Sequence, residues 1–159
     1  MTEPVRTPRP VDARTLWAGG VAAAVVAALV ALVGIVVCRG LLDVPVLARE
    51  GDGIWGDADT AAYAVGAALA ALVATGMAHL LLLSSPRPGR FFAWIMTLAT
   101  IAAVLVPFAV TATLASRFAT AAINLAVGIA IGSLVGASGR SAVRKASLGA
   151  GAPPSYPAP

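Results

Sequence analysis

Four long stretches of the chain carry no charged residue, and every charge lies between or beyond them. They are Leu16–Cys38, Thr60–Pro86, Phe91–Ser116 and Phe118–Gly139. Each is about 22 to 27 residues long, and about 20 residues of α-helix cross the roughly 30 Å hydrocarbon layer of a bilayer. In lipid, backbone N–H and C=O groups must be paired within the segment, which a helix achieves and a lone strand does not. The Ala- and Leu-rich composition also favours helix over barrel strand. The pattern therefore predicts an all-α, polytopic four-helix membrane bundle with helices at about 16–40, 60–84, 91–114 and 118–138.

The connections predict neighbours. Ser84-Ser85-Pro86-Arg87-Pro88-Gly89 reads as a tight turn, and the one around Ser116-Arg117 is shorter still. Helices two and three, and three and four, are thus expected to pack antiparallel. The first loop, roughly Asp43 to Ala58, is longer. Pro107 falls inside the third stretch, where it removes a backbone donor and disturbs the carbonyl of Ala103, so a kink or early helix end is expected there. The first stretch is too long for the apolar core of a signal peptide and no A-x-A site follows it, so it is read as a retained helix. The membrane domain is set at residues 14–140. The flanks 1–13 and 141–159, rich in Pro, Ser, Gly and charge, read as disordered tails.

Composition supports the lipid setting. Apolar residues make up 59% and charged residues 11% of the 159 positions, and the mean hydropathy is +0.90. A soluble domain of this size could not hide so much apolar surface in one core. The net charge of +4 comes from residues at helix ends and in tails, with no basic stripe interleaved with aromatics, which argues against nucleic acid. Arg6, Arg9, Arg14, Arg87, Arg90, Arg140, Arg144 and Lys145 share one side of the predicted bundle. Arg39, Arg49 and Arg117 lie on the other, together with Asp43, Glu50, Asp52, Asp57 and Asp59. The positive-inside bias makes the first side cytoplasmic, with both termini there. Trp17, Phe91, Phe92 and Trp94 near that interface, and Tyr63 and Phe118 near the other, form an aromatic belt.

Candidate chemistry is sparse. On the fourth helix Thr120, Asn124, Gly128, Gly132 and Gly136 recur at every fourth position, which lines them along one face. Glycine lets backbones approach closely where lipid removes the hydrophobic drive for helix association. The ridge marks a helix contact, either within the chain or between chains. Gly66, Ala70, Ala74 and Ala78 form a similar ridge on the second helix and offer an intrachain partner. Asn124 needs hydrogen-bond partners away from water. Thr111, Thr113 or a backbone carbonyl would make it a structural clasp, and a solute or ion contact is the functional alternative. His79 is the only histidine and lies near the turn after helix two; it reads as interfacial, or else as a pH-sensitive functional contact. The acidic loop Glu50–Asp59 lacks EF-hand spacing and its closing Glu. Cys38, alone, excludes an internal disulfide or a cysteine metal site. Neither catalytic nor metal residues are assigned, and no cofactor is expected. Pro153-Pro154-Ser155-Tyr156 fits a WW-domain ligand and Arg144-Lys145-Ala146-Ser147 a basic kinase site, both short motifs that arise often by chance. An ungapped similarity between Ala64–Val73 and Ala126–Val135 is accounted for by shared Ala, Gly, Leu and Val.

Four segments carry a family resemblance: R-T-L-W at Arg14–Trp17, L-L-D-V-P-V-L at Leu41–Leu47, R-F-F-A-W at Arg90–Trp94, and A-T-A-A-I-N-L-A-V-G-I-A-I-G-S-L at Ala119–Leu134. On these the chain resembles an actinobacterial family of small four-helix membrane proteins known as a domain of unknown function, over about Arg14 to Gly139. The resemblance implies a bacterial plasma membrane and a four-helix fold, and no activity. The sequence is thus read as a non-enzymatic membrane protein, a structural bundle or partner subunit. The alternative is a small transporter or channel, working as a homo-oligomer. Its expected partners are the lipid bilayer and either a second copy or another membrane protein.

Overall fold

The computed structural model describes residues 12–41, 46, 56–109 and 111–150. The acidic loop, apart from its last residues within a helix, and the end of the chain past residue 150 lie outside them. The fold is an all-α bundle with four helices long and apolar enough to cross a membrane. These are α1 (Ala13–Val36, continued by a π-helical turn Val37–Leu41), α2 (Gly56–Ser84), α3 (Pro88–Leu105, followed by a 3-10 turn Val106–Ala109) and α4 (Leu114–Ala150).

Local chemistry explains the ends. Asp12 caps α1: Oδ1 accepts from the Thr15 backbone N–H at 3.3 Å and Oδ2 from the Thr15 hydroxyl at 2.6 Å, satisfying a donor that the first turn leaves unpaired. Pro88 opens α3, where its missing N–H costs nothing. Pro107 ends that helix, and the chain tightens into the 3-10 turn, the early stop expected of an interior proline. The outer turn falls before Leu114, earlier than the spacing around Ser116-Arg117 suggested. Thr113 caps α4 by accepting the Ser116 N–H on its hydroxyl at 3.3 Å.

One expectation needs correction. The fourth helix does not stop near residue 138, and the segment after Ser141 is not all tail. α4 runs on to Ala150, and its extension touches the start of α1: Lys145 Nζ lies 3.8 Å from Asp12 Oδ2 and 3.5 Å from the Thr15 hydroxyl. The neighbours expected from the short links, α2 with α3 and α3 with α4, are in contact. α1 packs against both α2 and α4, and α4 also against α3, whereas the α2–α3 contact is thin although their connection is short. A short link brings two helix ends together but does not compel their faces to meet.

The interior is built from small residues. Ala23, Ala27 and Ala31 of α1 meet Ala67, Ala71, Ala74 and Ala78 of α2, with Phe92, Ile131 and Val135 completing the cluster. Large apolar side chains point outward instead, among them Val25, Leu29 and Val33 on α1, Leu69 and Val73 on α2, and Leu98 and Ile101 on α3. In water this distribution would be unfavourable. In lipid, outward Leu and Val cost nothing, and inward Ala and Gly let helix backbones close on one another. A Cβ added to Gly20 would collide with Thr75 across the α1–α2 seam, and one on Gly19 with Ser138 across α1–α4.

Candidate functional site: two clefts beside the third helix

α3 is the odd member of the bundle. Only 11% of its most apolar window is buried, against 28–33% for the other three helices. It packs against α4 along part of its length and only thinly against α2, and a cleft opens along each of its sides.

The first cleft, about 970 Å³, runs between α3 and α4. The ridge on α4 faces it. Gly128 makes the tight approach: a Cβ there would lie 2.5 Å from the Thr100 hydroxyl and methyl. The Thr100 hydroxyl donates back to the Met96 carbonyl at 2.7 Å, leaving its methyl group against α4. One turn on, the walls diverge. A Cβ on Gly132 would sit 3.8 Å from Met96, one on Gly136 3.5 Å from the Arg140 guanidinium and 3.9 Å from Phe92, and one on Gly139 would meet nothing within 4 Å. Gly128 thus packs within the chain, against Thr100 of α3, and Gly132 and Gly136 line the open cleft. The partner of Gly128 is not the second-helix ridge: Gly66 and Ala70 are exposed, and Ala74 and Ala78 are buried in the cluster shared with α1. At the end of the bundle where the described residues begin and end, Pro88 and Gly89 on one side and Arg140 and Arg144 on the other frame the mouth of the cleft.

The second cleft, about 600 Å³, lies between α2 and α3 with α4 as its floor. Its polar groups gather toward the opposite end. Asn124 Nδ2 donates to the Ala103 carbonyl at 2.7 Å, and Asn124 Oδ1 accepts from the Tyr63 hydroxyl. Ala103 is the residue whose carbonyl Pro107, four positions on, cannot engage. The asparagine supplies the donor that proline removed, clasping α2, α3 and α4 together. Of the partners the sequence offers Asn124, the backbone carbonyl is the one taken.

The remaining candidates stay apart from this cluster. His79 on α2 is half-buried, lines neither cleft, and its Nδ1 has no hydrogen-bond partner among the described residues. Cys38 is buried in a small cluster with Ile35, Val46 and Ile123. Among the described residues no three His, Cys, Asp or Glu side chains gather as a metal set. Thr120, on the ridge, donates to the Ser116 carbonyl at 2.9 Å. At the outer end, Phe108 and Phe118 meet edge to face with centroids 5.4 Å apart, pinning the 3-10 turn to α4.

Residues 11–141 match the family of unknown function DUF6069. The chain belongs to it. No curated protein and no solved structure matches. The DUF6069 match stops at residue 141, inside α4, so it contains the second cleft and most of the first but leaves Val143, Arg144 and the last turns of that helix outside. Sequence reasoning found the α4 ridge, Asn124 and Pro107. It missed the Asn124–Ala103 link, the Tyr63 hydroxyl and the Gly20–Thr75 seam. The seam had a signal: Gly20, Ala23, Ala27 and Ala31 on α1, and Ala67, Ala71, Ala74 and Ala78 on α2, follow three-four spacing.

Proposed function

We propose that this protein is a non-enzymatic subunit of a membrane complex, lodged in a bacterial plasma membrane with both termini cytoplasmic. The observation that carries the reading is the exposure of α3. A membrane helix that its own chain leaves largely uncovered supports docking of a second membrane protein on the α2–α3 face, where small residues permit close approach. The polar groups there are satisfied by one another, as in a structural clasp. Catalysis would need an activated nucleophile or an acid–base pair within one pocket, and the hydroxyls of Thr97, Thr100, Ser133 and Tyr63 share neither cleft's lining with a carboxylate or an imidazole.

The test is affinity purification of the tagged full chain from its native membranes in mild detergent. A single membrane protein recovered in fixed stoichiometry is the expected result. Recovery of the chain alone would overturn the reading. A second reading, a small transporter or channel acting as a homo-oligomer, is favoured by one observation: the second cleft is open and carries Tyr63 and Asn124 at one end. Purified protein in liposomes that moves a solute, with the flux altered by Asn124→Leu, would decide for it.

A further inference from the structure

We infer that the cleft between α3 and α4 is a binding site for an anionic phospholipid, with one acyl chain in the glycine-floored trough and the phosphate at Arg140 and Arg144. The inference takes the bilayer setting from the reading above but requires no protein partner.

The trough has the dimensions of a single leaflet. It is pinched where Gly128 meets Thr100, though its walls reach Ile101 and Leu125, and beyond that point Gly132 and Gly139 leave bare backbone on its floor while the Arg140 guanidinium lies beside Gly136. From Gly128 to Arg140 the helix advances roughly 18 Å at 1.5 Å per residue, close to half of the roughly 30 Å hydrocarbon layer. An apolar slot of that length, narrowed at Gly128 and open toward Arg140 and Arg144, suits a lipid tail better than a helix, which would have to pass the pinch.

The mouth selects charge. Arg140 and Arg144 are exposed and make no ion pair among the described residues, where the salt bridge is Lys145–Asp12. Facing them is the start of α3, whose Arg87 N-cap residue makes no side-chain capping hydrogen bond. Two guanidinium groups line one opening, and guanidinium favours a phosphate. Basic residues between membrane helices at the cytoplasmic interface bind anionic headgroups by the same chemistry.

The experiment is native mass spectrometry of the purified, lipid-depleted full chain after exposure to dioleoyl phosphatidylglycerol or dioleoyl phosphatidylcholine. The wild-type chain is expected to retain phosphatidylglycerol with about tenfold preference, the effect of roughly one charge-assisted contact. Arg140→Gln/Arg144→Gln should lower that preference to near parity. Gly136→Leu, which fills the trough, should reduce retention of both lipids. Equal retention of the two lipids by the wild type, or an undiminished preference in the double glutamine variant, overturns the proposal. So does a wild-type dimer that Gly136→Leu converts to monomer with lipid content unchanged, which would make the trough a seam between copies. Should the leucine variant fail to fold, the surface arginine pair still decides the matter. Failure to recover a partner protein from native membranes has no bearing on these outcomes.

Discussion

Gly128 and Gly132 sit one helical turn apart on the same face of α4, yet they face α3 differently. At Gly128 an added methyl group would have to displace Thr100, whose hydroxyl is tied to the Met96 carbonyl, while at Gly132 it would meet Met96 at ordinary van der Waals distance. Overpacking a tight contact typically costs about 1–3 kcal/mol. Gly128→Val should therefore lower the thermal unfolding midpoint in detergent clearly, and Gly132→Ala should leave it nearly unchanged; equal effects would show that the pinch is not where the backbones meet. The Asn124 clasp allows a sharper test. Asn124→Leu should destabilise by about 0.6–2 kcal/mol, the range for interhelical hydrogen bonds in membranes. Pro107→Ala gives residue 107 an N–H able to engage the Ala103 carbonyl within its own helix. In that background Asn124→Leu should cost less, with a coupling of at least about 0.5 kcal/mol. The Tyr63 hydroxyl loses its acceptor in both backgrounds, so the cycle isolates the Ala103 half; additive effects would mean that asparagine does not compensate for proline.

At the scale of elements, the start of α1 and the end of α4 form one unit through Asp12, Thr15 and Lys145. The Thr15 hydrogen bonds, foremost that of its side chain, and the charge of Lys145 hold the Asp12 carboxyl below its ordinary value of 3.8. A depressed carboxylate contributes stability above its unfolded-state value and loses it as pH falls through the folded one. The unfolding midpoint of the wild type should thus drop on acidification below about pH 4, and that of Asp12→Ala, lower at neutral pH, should show a smaller drop; parallel curves would remove Asp12 from the account. This contact also marks where the sequence stops being legible. The four spans are visible because charge is absent from each, which is a requirement of lipid. Beyond residue 140 that requirement lapses, and Arg144 and Lys145 are as compatible with a solvated helix as with a tail. The choice of partner is hidden for a related reason: Gly66, Ala70, Ala74 and Ala78 look equivalent to Ala67, Ala71, Ala74 and Ala78 as small-residue faces, and only the packed bundle selects the second. Pro107 and Asn124 each carry a visible signal, a lost donor and a buried amide. Their pairing is a long-range contact that local pattern does not encode.

At the scale of the whole molecule, the antiparallel packing places both described chain ends at one end of the bundle, and that end carries Arg14, Arg87, Arg90, Arg140, Arg144 and Lys145. The other end holds Arg39 and Arg117 among the described residues. Basic residues near span ends resist translocation and so set orientation, and the proposed orientation has the six-cation end cytoplasmic. A fluorescent-protein fusion after Pro159 should therefore be bright and an alkaline phosphatase fusion there inactive, whereas phosphatase inserted after Ala112 should be active. Replacing Arg87, Arg90, Arg140, Arg144 and Lys145 with Gln should yield a mixed population, because the bias between the two ends then nearly vanishes. An active phosphatase at the C-terminus of the wild type would reverse the sidedness and assign the α3–α4 trough to the outer leaflet. The helix contacts would survive that result, since the Gly128–Thr100 approach and the Asn124 clasp depend on the fold alone and not on which face of the membrane it presents.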